Sequence, residues 1–169
     1  MTTGHSRTMP SSFVDAIYRL AYRMIYPVWQ FYLRQFQVCT QGAQVAMWNN
    51  DRVLLIRNSY RKTYVFPGGY IRNGENTASA ASRELREETG ISVPTEQLRF
   101  SFAWTYTNGK HVGHDDIFEC QLENRPVISI DNREVIEARF MTPDTALALP
   151  LESHVHHYLE SGLTGSIGS

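Results

Sequence analysis

One segment near the middle of the chain predicts a short helix that is apolar on one side. The helix begins at Asn76 or Thr77, either of which can cap it, and it ends at Gly90, the residue type that most often follows a helix. With 3.6 residues per turn, a compact apolar stripe contains Ala78, Ala81 and Leu85. The stripe predicts that this helix packs against a hydrophobic core.

The other side of the predicted helix is acidic. Glu84, Glu87 and Glu88 lie together because their spacing is i, i+3 and i+4. Like charges at these spacings oppose each other by roughly 0.2–0.5 kcal/mol per pair on an exposed helix. A solvated helix surface tolerates such a cluster, so the acidic side alone leaves a plain surface and a functional site equally open.

The residues upstream of the helix favour a functional site. Pro67-Gly68-Gly69 bends the chain tightly and lets a ligand approach the backbone, and Glu75 lies at the positive end of the helix dipole. Carboxylates, a free carbonyl and water are the ligands that suit Mg²⁺ or Mn²⁺. Those ions suit diphosphate chemistry because they bridge phosphate oxygens, neutralise developing charge and activate water.

The same segment resembles the signature of the Nudix hydrolase family. Residues 69–91 agree with the pattern G-x5-E-x7-R-E-U-x-E-E-x-G-U at every fixed position, where U is a bulky apolar residue. The resemblance implies an α/β/α sandwich with a mixed sheet, here with an extra N-terminal helix, and a domain over residues 38–162. It also implies Mg²⁺- or Mn²⁺-dependent cleavage of a nucleoside diphosphate linked to another moiety.

The resemblance further implies a role for each matching residue. The metal ligands would be the Gly68 carbonyl, Glu84, Glu87 and Glu88, and Glu84 could instead handle the proton of the attacking water. The metal-binding loop would be supported by Gly69, Glu75 and Arg83.

The general base is expected outside the signature. In several members of the family an acidic residue of a later loop serves, and here Glu134 and Glu137 rank first because they lie in a loop-to-strand segment. Asp115 and Asp116 rank behind them, since a solvated strand end is the favoured interpretation for both.

Substrate-binding residues are predicted from charge and ring chemistry. Arg57 and Arg61 lie just before the Pro-Gly-Gly turn, where they would either bind the diphosphate or form a basic surface loop. Tyr106 and Trp104 would stack on a base. Their spacing of two residues from Phe100 and Phe102 instead favours a shared strand face that packs in the core.

The remaining elements follow from periodicity and turn signals. Strands are predicted at residues 44–47, 52–57, 64–66, 99–107, 117–122 and 137–141, with a hairpin turn at Asn108-Gly109. Helices are predicted to open at Thr142-Pro143 and to cover residues 151–160. Strands that alternate with isolated helices indicate a mixed sheet with helices on its faces.

The N-terminal part of the chain lies outside the family resemblance. Residues 11–37 predict an amphipathic, aromatic-rich helix that Pro27 kinks or splits, between a disordered tail at 1–10 and the domain. This helix packs on the domain, forms a homodimer interface or lies on a membrane surface. We expect deletion of residues 1–37 to harm solubility or oligomeric state more than metal binding. Residues 163–169 are predicted to form a flexible tail.

Composition narrows the partners and the compartment. The 169 residues suffice for one domain with a core, and a formal net charge of −1 argues against a dedicated nucleic-acid-binding protein. Cys39 and Cys120 form no CxxC pair and indicate thiols in a reducing compartment. With no signal-peptide pattern, we expect a cytoplasmic protein that acts on a small nucleotide-like diphosphate.

Two rival functions remain open on the same fold. A non-catalytic module that binds or senses nucleotides would not need the full set of Glu84, Glu87 and Glu88. The second rival is an isomerase of isoprenoid diphosphates. Enzymes of that kind use a catalytic cysteine and usually have a degraded signature, and neither feature can be placed in this sequence.

Overall fold

A mixed six-stranded sheet is the frame of the protein, for which a computed structural model describes residues 13–161. The strands are β1 (Cys39–Asn49), β2 (Arg52–Asn58), β3 (Gly68–Tyr70), β4 (Arg99–Asn108), β5 (His111–Leu122) and β6 (Val135–Met141). Their order is β4-β5-β1-β2-β6, and β3 pairs with β1. Among these six strands of the described residues, only β1 and β5 pair in parallel, from Cys39 opposite Val112 to Asn49 opposite Leu122.

Within residues 13–161, four α-helices accompany this sheet. They are α1 (Phe13–Gln35), α2 (Thr77–Thr89), α3 (Pro143–Leu147) and α4 (Ser153–Glu160), with a 3₁₀ turn at Thr95–Gln97. Among the described residues, no helix has both the length and the apolarity that crossing a membrane requires. Pro27 lies inside α1, which continues through it rather than splitting there. The predicted tails at 1–10 and 163–169 lie outside the described residues.

The sheet separates two hydrophobic cores, which confirms the α/β/α sandwich with an N-terminal helix. Strand β2 alternates between them: Leu54 and Ile56 join the core under α2, whereas Val53 and Leu55 join the core under α4. Central strands that are buried on both faces read as continuous apolar runs, as β2 does. Leu85 is among the residues that bring α2 onto the first core.

The predicted strand at residues 64–66 is wrong. Tyr64 and Val65 form only isolated bridges, to Leu151 and Ile56. The strand in this region is β3, four residues later, where glycine lets the backbone pair closely with β1: a Cβ on Gly68 would overlap the Ala43 carbonyl oxygen. The pattern of bulky residues therefore pointed to the wrong part of the segment.

The hairpin of β4 and β5 is longer and less regular than its sequence indicates. β5 begins at His111, directly after the tight turn, rather than at residue 117. The alternation along β4 predicts one shared face for Phe100, Phe102, Trp104 and Tyr106. This prediction is wrong at Phe100, because the pairing shifts between Phe100 and Phe102. The Phe100 ring packs against Phe118, at 5.9 Å between centroids, whereas Phe102 stacks on Tyr158 at 5.8 Å.

Candidate functional site

Helix α2 is fixed at both ends and along one face. The Asn76 side chain accepts a hydrogen bond from the Ala78 N–H at 3.0 Å, and Gly90 closes the helix in the left-handed conformation at φ 72°. Its fully buried residues are Ala80, Ala81, Leu85 and Thr89. The rotation of α2 is thus determined by its core contacts, and with it the direction of its carboxylates.

Two glycines of β3 lie directly against two carboxylates of α2. The Gly68 N–H donates to Glu88 Oε2 at 2.8 Å. A Cβ on Gly69 would stand 2.7 Å from the carboxyl carbon of Glu84, so a larger residue there would displace that carboxylate from its position. The Pro-Gly-Gly segment and the acidic helix therefore form one structural unit.

Arg83 holds this unit together. Its Nε and Nη2 donate to the two oxygens of Glu75 at 2.8 and 2.9 Å, and Nη1 lies 2.5 Å from Glu84 Oε1. Nη2 also donates to the Tyr70 carbonyl at 3.1 Å. The hydrogen bonds from Arg83, with one from the Arg72 N–H, lower the pKa of Glu75 to about 2. The structure thus brings the predicted supporting residues Glu75, Arg83 and Gly69 together.

Glu87 differs from the other two carboxylates of the signature in that it does not line the cavity that they share. It lies 3.5 Å from Arg83 Nη1 and 3.6 Å from Arg72 Nη2, and 43% of its side chain is exposed. Pairing with two arginines offsets the repulsion between neighbouring carboxylates that the helix spacing imposes.

Glu84 and Glu88 face a cavity of about 760 Å³. Glu134 lines the same cavity from the loop before β6, and the cavity is also lined by Arg61 and by rings that include Tyr60 and Tyr106. Burial raises the pKa of Glu88 well above its usual value, and the charges of Glu134 and Glu84 act in the same direction. This concentration of negative charge is costly unless a cation shares it.

The structure brings one of the two leading base candidates to the cavity. Tyr60 donates to Glu134 Oε1 at 2.9 Å, and the Ser59 N–H donates to the Glu134 carbonyl at 2.7 Å. Burial raises the pKa of Glu134, as does the charge of Glu84, while the hydrogen bond from Tyr60 opposes that rise.

The other candidate, Glu137, lies outside the cavity lining. Its Oε2 accepts from Arg57 Nε and Nη2 at 3.1 and 2.9 Å, and its Oε1 lies 2.6 Å from Arg139. Although burial alone would raise the pKa of Glu137, hydrogen bonds from Arg57 and Tyr64 and the charge of Arg139 hold it below its usual value. Arg57, a predicted diphosphate ligand, is therefore engaged by Glu137.

Arg61 is placed in the cavity wall. Its guanidinium lies over the rings of Tyr26 at 5.4 Å and Tyr60 at 5.8 Å, and Nη1 is 3.8 Å from Glu152. Its Nε is buried and has no hydrogen-bond partner among the described residues. A buried donor without a partner is a group that an anionic ligand can satisfy.

Asp115 also belongs to the cavity, and the interpretation of it as a solvated strand end is wrong. It lies within β5, where its Oδ2 accepts from Gln44 Nε2 at 3.1 Å, and Gln44 Oε1 lies 2.8 Å from His154 Nε2. Burial raises the pKa of Asp115 and lowers that of His154 to about 4. Sequence reasoning missed Gln44 and His154, because only the register of β1, β5 and α4 joins them.

Core packing, the interpretation favoured for Trp104 and Tyr106, holds for Trp104, which packs against the core under α4, but not for Tyr106. Tyr106 is 36% exposed and lines the cavity. Trp104 is half-buried, lies 5.4 Å from the His157 ring between centroids, and also reaches the cavity. Both rings are thus accessible to a ligand.

The donor chemistry of the cavity fits a hard divalent cation. Carboxylate oxygens of Glu84, Glu88 and Glu134 are the ligand type that Mg²⁺ and Mn²⁺ take, and the Gly69 position is kept free of a side chain beside them. Within residues 13–161, no three His, Cys, Asp or Glu side chains lie close enough to hold one ion by themselves. Magnesium commonly completes its shell with waters and substrate phosphates, so a site of few protein ligands suits it.

Sequence comparison gives a family match over most of the chain. A NUDIX domain model matches residues 40–161. The uncharacterized Nudix hydrolase YvcI of Bacillus subtilis is 38% identical over 63 residues, which cover 37% of this chain and 40% of that protein. The NAD-capped RNA hydrolase NudC of Stutzerimonas stutzeri is 26% identical over 118 residues, covering 68% of this chain and 41% of that one. The chain thus spans less than half the length of either relative.

Structural comparison agrees on the fold. A C. elegans Ap4A hydrolase in a binary complex has a TM-score of 0.62 at 20% identity, over 75% of this chain and 98% of that chain. A bifunctional NMN adenylyltransferase/ADP ribose pyrophosphatase from Francisella tularensis, complexed with AMP and a Mn ion, has a TM-score of 0.58 at 20% identity. That match covers 88% of this chain and 47% of that chain.

Proposed function

The chain belongs to the NUDIX domain family, and we propose that it is a Mg²⁺- or Mn²⁺-dependent hydrolase that cleaves the diphosphate bond of a nucleoside diphosphate linked to another moiety. The observation that carries the proposal is the cavity shared by Glu84, Glu88 and Glu134, with Arg61 beside them. The named activities of relatives, on capped RNA, Ap4A and ADP ribose, support a nucleotide-like substrate.

Glu84 and Glu88 would hold the metal, with the Gly68 carbonyl as a further ligand. Glu87 would join them by leaving its arginine partners, which its exposed position allows. When bound, the divalent ion neutralises charge on the diphosphate and activates a water. Arg83 keeps Glu84 and the loop in place through its bonds to Glu75 and Glu84.

Glu134 would accept the proton of the attacking water. Tyr60 occupies its Oε1 as a donor, which fixes the orientation of the carboxylate in the cavity. Glu137 is engaged by Arg57 and Arg139 and does not line the cavity, so we do not retain it as the base. Arg61 would bind a phosphate through its unsatisfied Nε, whereas Arg57 would not contact the substrate.

A nucleotide panel with Mg²⁺ and Mn²⁺ tests this function. We expect at least one diphosphate-linked nucleotide to be cleaved, and Glu134→Gln to lower kcat by on the order of 10²–10⁴-fold, as loss of a general base does. Glu137→Gln is the matched control and should leave kcat within about threefold on the same reasoning. If nucleotides bind tightly but none is cleaved, the protein is instead a nucleotide-binding module. Equal losses in both variants would exclude Glu134 as the base.

We also propose that the outer side of α1 forms a homodimer interface. Large apolar residues are exposed along it, including Leu20, Met24, Val28 and Phe31, and such patches commonly mark interaction surfaces. Light scattering should then give twice the chain mass, and Met24→Glu should return it to the monomer mass. Binding to anionic vesicles by a wild-type monomer would favour the membrane alternative.

Free Cys39 and Cys120 support a reducing, cytoplasmic location.

A further inference from the structure

Helix α1 lies outside the family match yet forms part of the cavity wall. The match begins at residue 40, whereas α1 ends at Gln35. The cavity that contains Glu84 and Glu88 is nevertheless lined by residues of α1 at helical spacing: Tyr22, Ile25, Tyr26, Trp29 and Gln30. One side of this helix therefore faces the proposed reaction site.

Several contacts of α1 are made with the loops that carry site residues. The ring of Tyr26 lies 4.5 Å from that of Tyr60, and Arg23 Nε donates to the Ser59 carbonyl at 3.0 Å. Asp15 pairs with Arg133 at 2.9 Å, next to Glu134 in the chain. The helix is thus docked on the two loops that supply Arg61 and Glu134.

The chemistry of the α1 residues in the lining differs from that of the carboxylates Glu84, Glu88 and Glu134. Tyr22, Tyr26 and Trp29 carry no formal charge at neutral pH and present planar rings, with the Arg61 guanidinium stacked against Tyr26. Ring surfaces beside a cation suit a planar aromatic group joined to a phosphate, because the rings stack on the base while the cation binds the phosphate.

We propose that α1 is a specificity-determining element that binds the base of the substrate through Tyr26 and Trp29. The substrate class is then a nucleotide whose diphosphate lies between Arg61 and the carboxylates, and whose base lies against α1. This inference rests on the proposed function for the position of the diphosphate. Diphosphates without a base would lack the contacts with α1.

Binding measurements on the full chain test the proposal. The probes are the non-hydrolysable methylene analogue of ADP-ribose, and the same compound without adenine, each titrated calorimetrically in the presence of Mg²⁺. We expect Tyr26→Ala and Trp29→Ala to weaken binding of the first by about tenfold or more, as loss of stacking on an aromatic side chain does. Binding of the base-free compound should change less than twofold.

The controls separate a binding role from a general disturbance of the helix. Phe13→Ala removes an aromatic ring of α1 that is 82% exposed and outside the cavity lining, and it should leave both affinities unchanged. Tyr26→Phe keeps the ring and should restore the affinity. Thermal unfolding of each variant shows whether the fold is retained.

Each remaining outcome overturns the proposal. Unchanged affinities in Tyr26→Ala and Trp29→Ala, equal losses for both probes, or no binding of the nucleotide analogue to the wild type would exclude α1 as the base site. A different result would contradict the proposed hydrolase function, namely a turnover of Glu88→Gln equal to that of the wild type. The two failures are therefore distinguishable.

Discussion

Two helices border the same cavity, and they are held there by different forces. Helix α2 has four fully buried residues in its 13, a side-chain cap at one end and a glycine at the other. Helix α1 has one buried residue, Leu33, in its 23. Whereas α2 buries its apolar side chains, α1 leaves many of its own exposed: Phe13 is 82% exposed and Val28 is 68% exposed.

This difference in burial shows which contacts hold each of the two helices at the cavity. The core fixes α2, so its carboxylates keep their direction even though they repel each other. Polar and ring contacts with the cavity loops hold α1, among them the Arg23 bond to Ser59 and the Asp15 pair with Arg133. We therefore expect substitutions in α2 to affect chemistry and folding, and substitutions in α1 to affect substrate binding and assembly.

The largest expected effect comes from removing a carboxylate of α2. Glu88→Gln should lower kcat at least about a hundredfold, because metal assistance supplies several kcal/mol and each 1.36 kcal/mol is tenfold in rate. It should not lower the thermal midpoint, since the wild-type carboxylate is crowded by Glu84 and Glu134. Steady-state kinetics and calorimetry measure both. Glu96→Gln, on the exposed 3₁₀ turn, is the matched control and should be silent.

The next effect is on stability and compares the two helices directly. Leu85→Ala should cost about 2–5 kcal/mol, as truncation of a buried leucine does. Leu20→Ala in α1 should change the free energy of unfolding by less than about 0.5 kcal/mol in the monomer, because Leu20 is 62% exposed. Urea unfolding measures both variants. Similar losses would mean that α1 is as firmly packed as α2.

A smaller effect is expected at the residue that holds the α2 carboxylates in place. Arg83→Lys should lower kcat/KM by roughly 10–100-fold, the range for residues that orient metal ligands. Lysine cannot reproduce the simultaneous bonds of the guanidinium to Glu75 and Glu84. Activity assays with saturating Mg²⁺ check this, and full activity in the lysine variant would show that charge alone suffices.

The smallest effect is at the N-terminus of α2. Asn76→Ala removes the acceptor for the Ala78 N–H and should cost about 1 kcal/mol of stability, whereas Asn76→Asp should retain the cap. Thermal unfolding distinguishes the variants. An alanine variant with the thermal stability of the wild type would show that core contacts alone position α2, unlike α1.

The parts that sequence predicted well are those with local physical causes. The bounds of α2 follow from its cap, its glycine and its apolar stripe, and Gly68 and Gly69 lie beside its carboxylates because no side chain fits there. The turn at Asn108-Gly109 follows in the same way from residues that favour a tight hairpin.

The parts that sequence could not predict depend on long-range register. Asp115 reaches the cavity because β5 pairs with β1 in parallel, which no local pattern encodes. Glu134 and Glu137 looked equivalent in sequence, but their side chains diverge: one accepts from Tyr60 in the cavity, the other from Arg57 outside it. The position of α1 at the cavity could not be predicted from the sequence either, because the contacts of this helix join residues far apart in the chain.

The most direct test of the account is a crystal soaked in Mn²⁺ and measured at an anomalous wavelength. We expect one strong peak in the cavity, coordinated by carboxylate oxygens of both Glu84 and Glu88 at about 2.1 Å, the distance expected for a small divalent ion. A well-ordered cavity with no anomalous peak at those two side chains would contradict it.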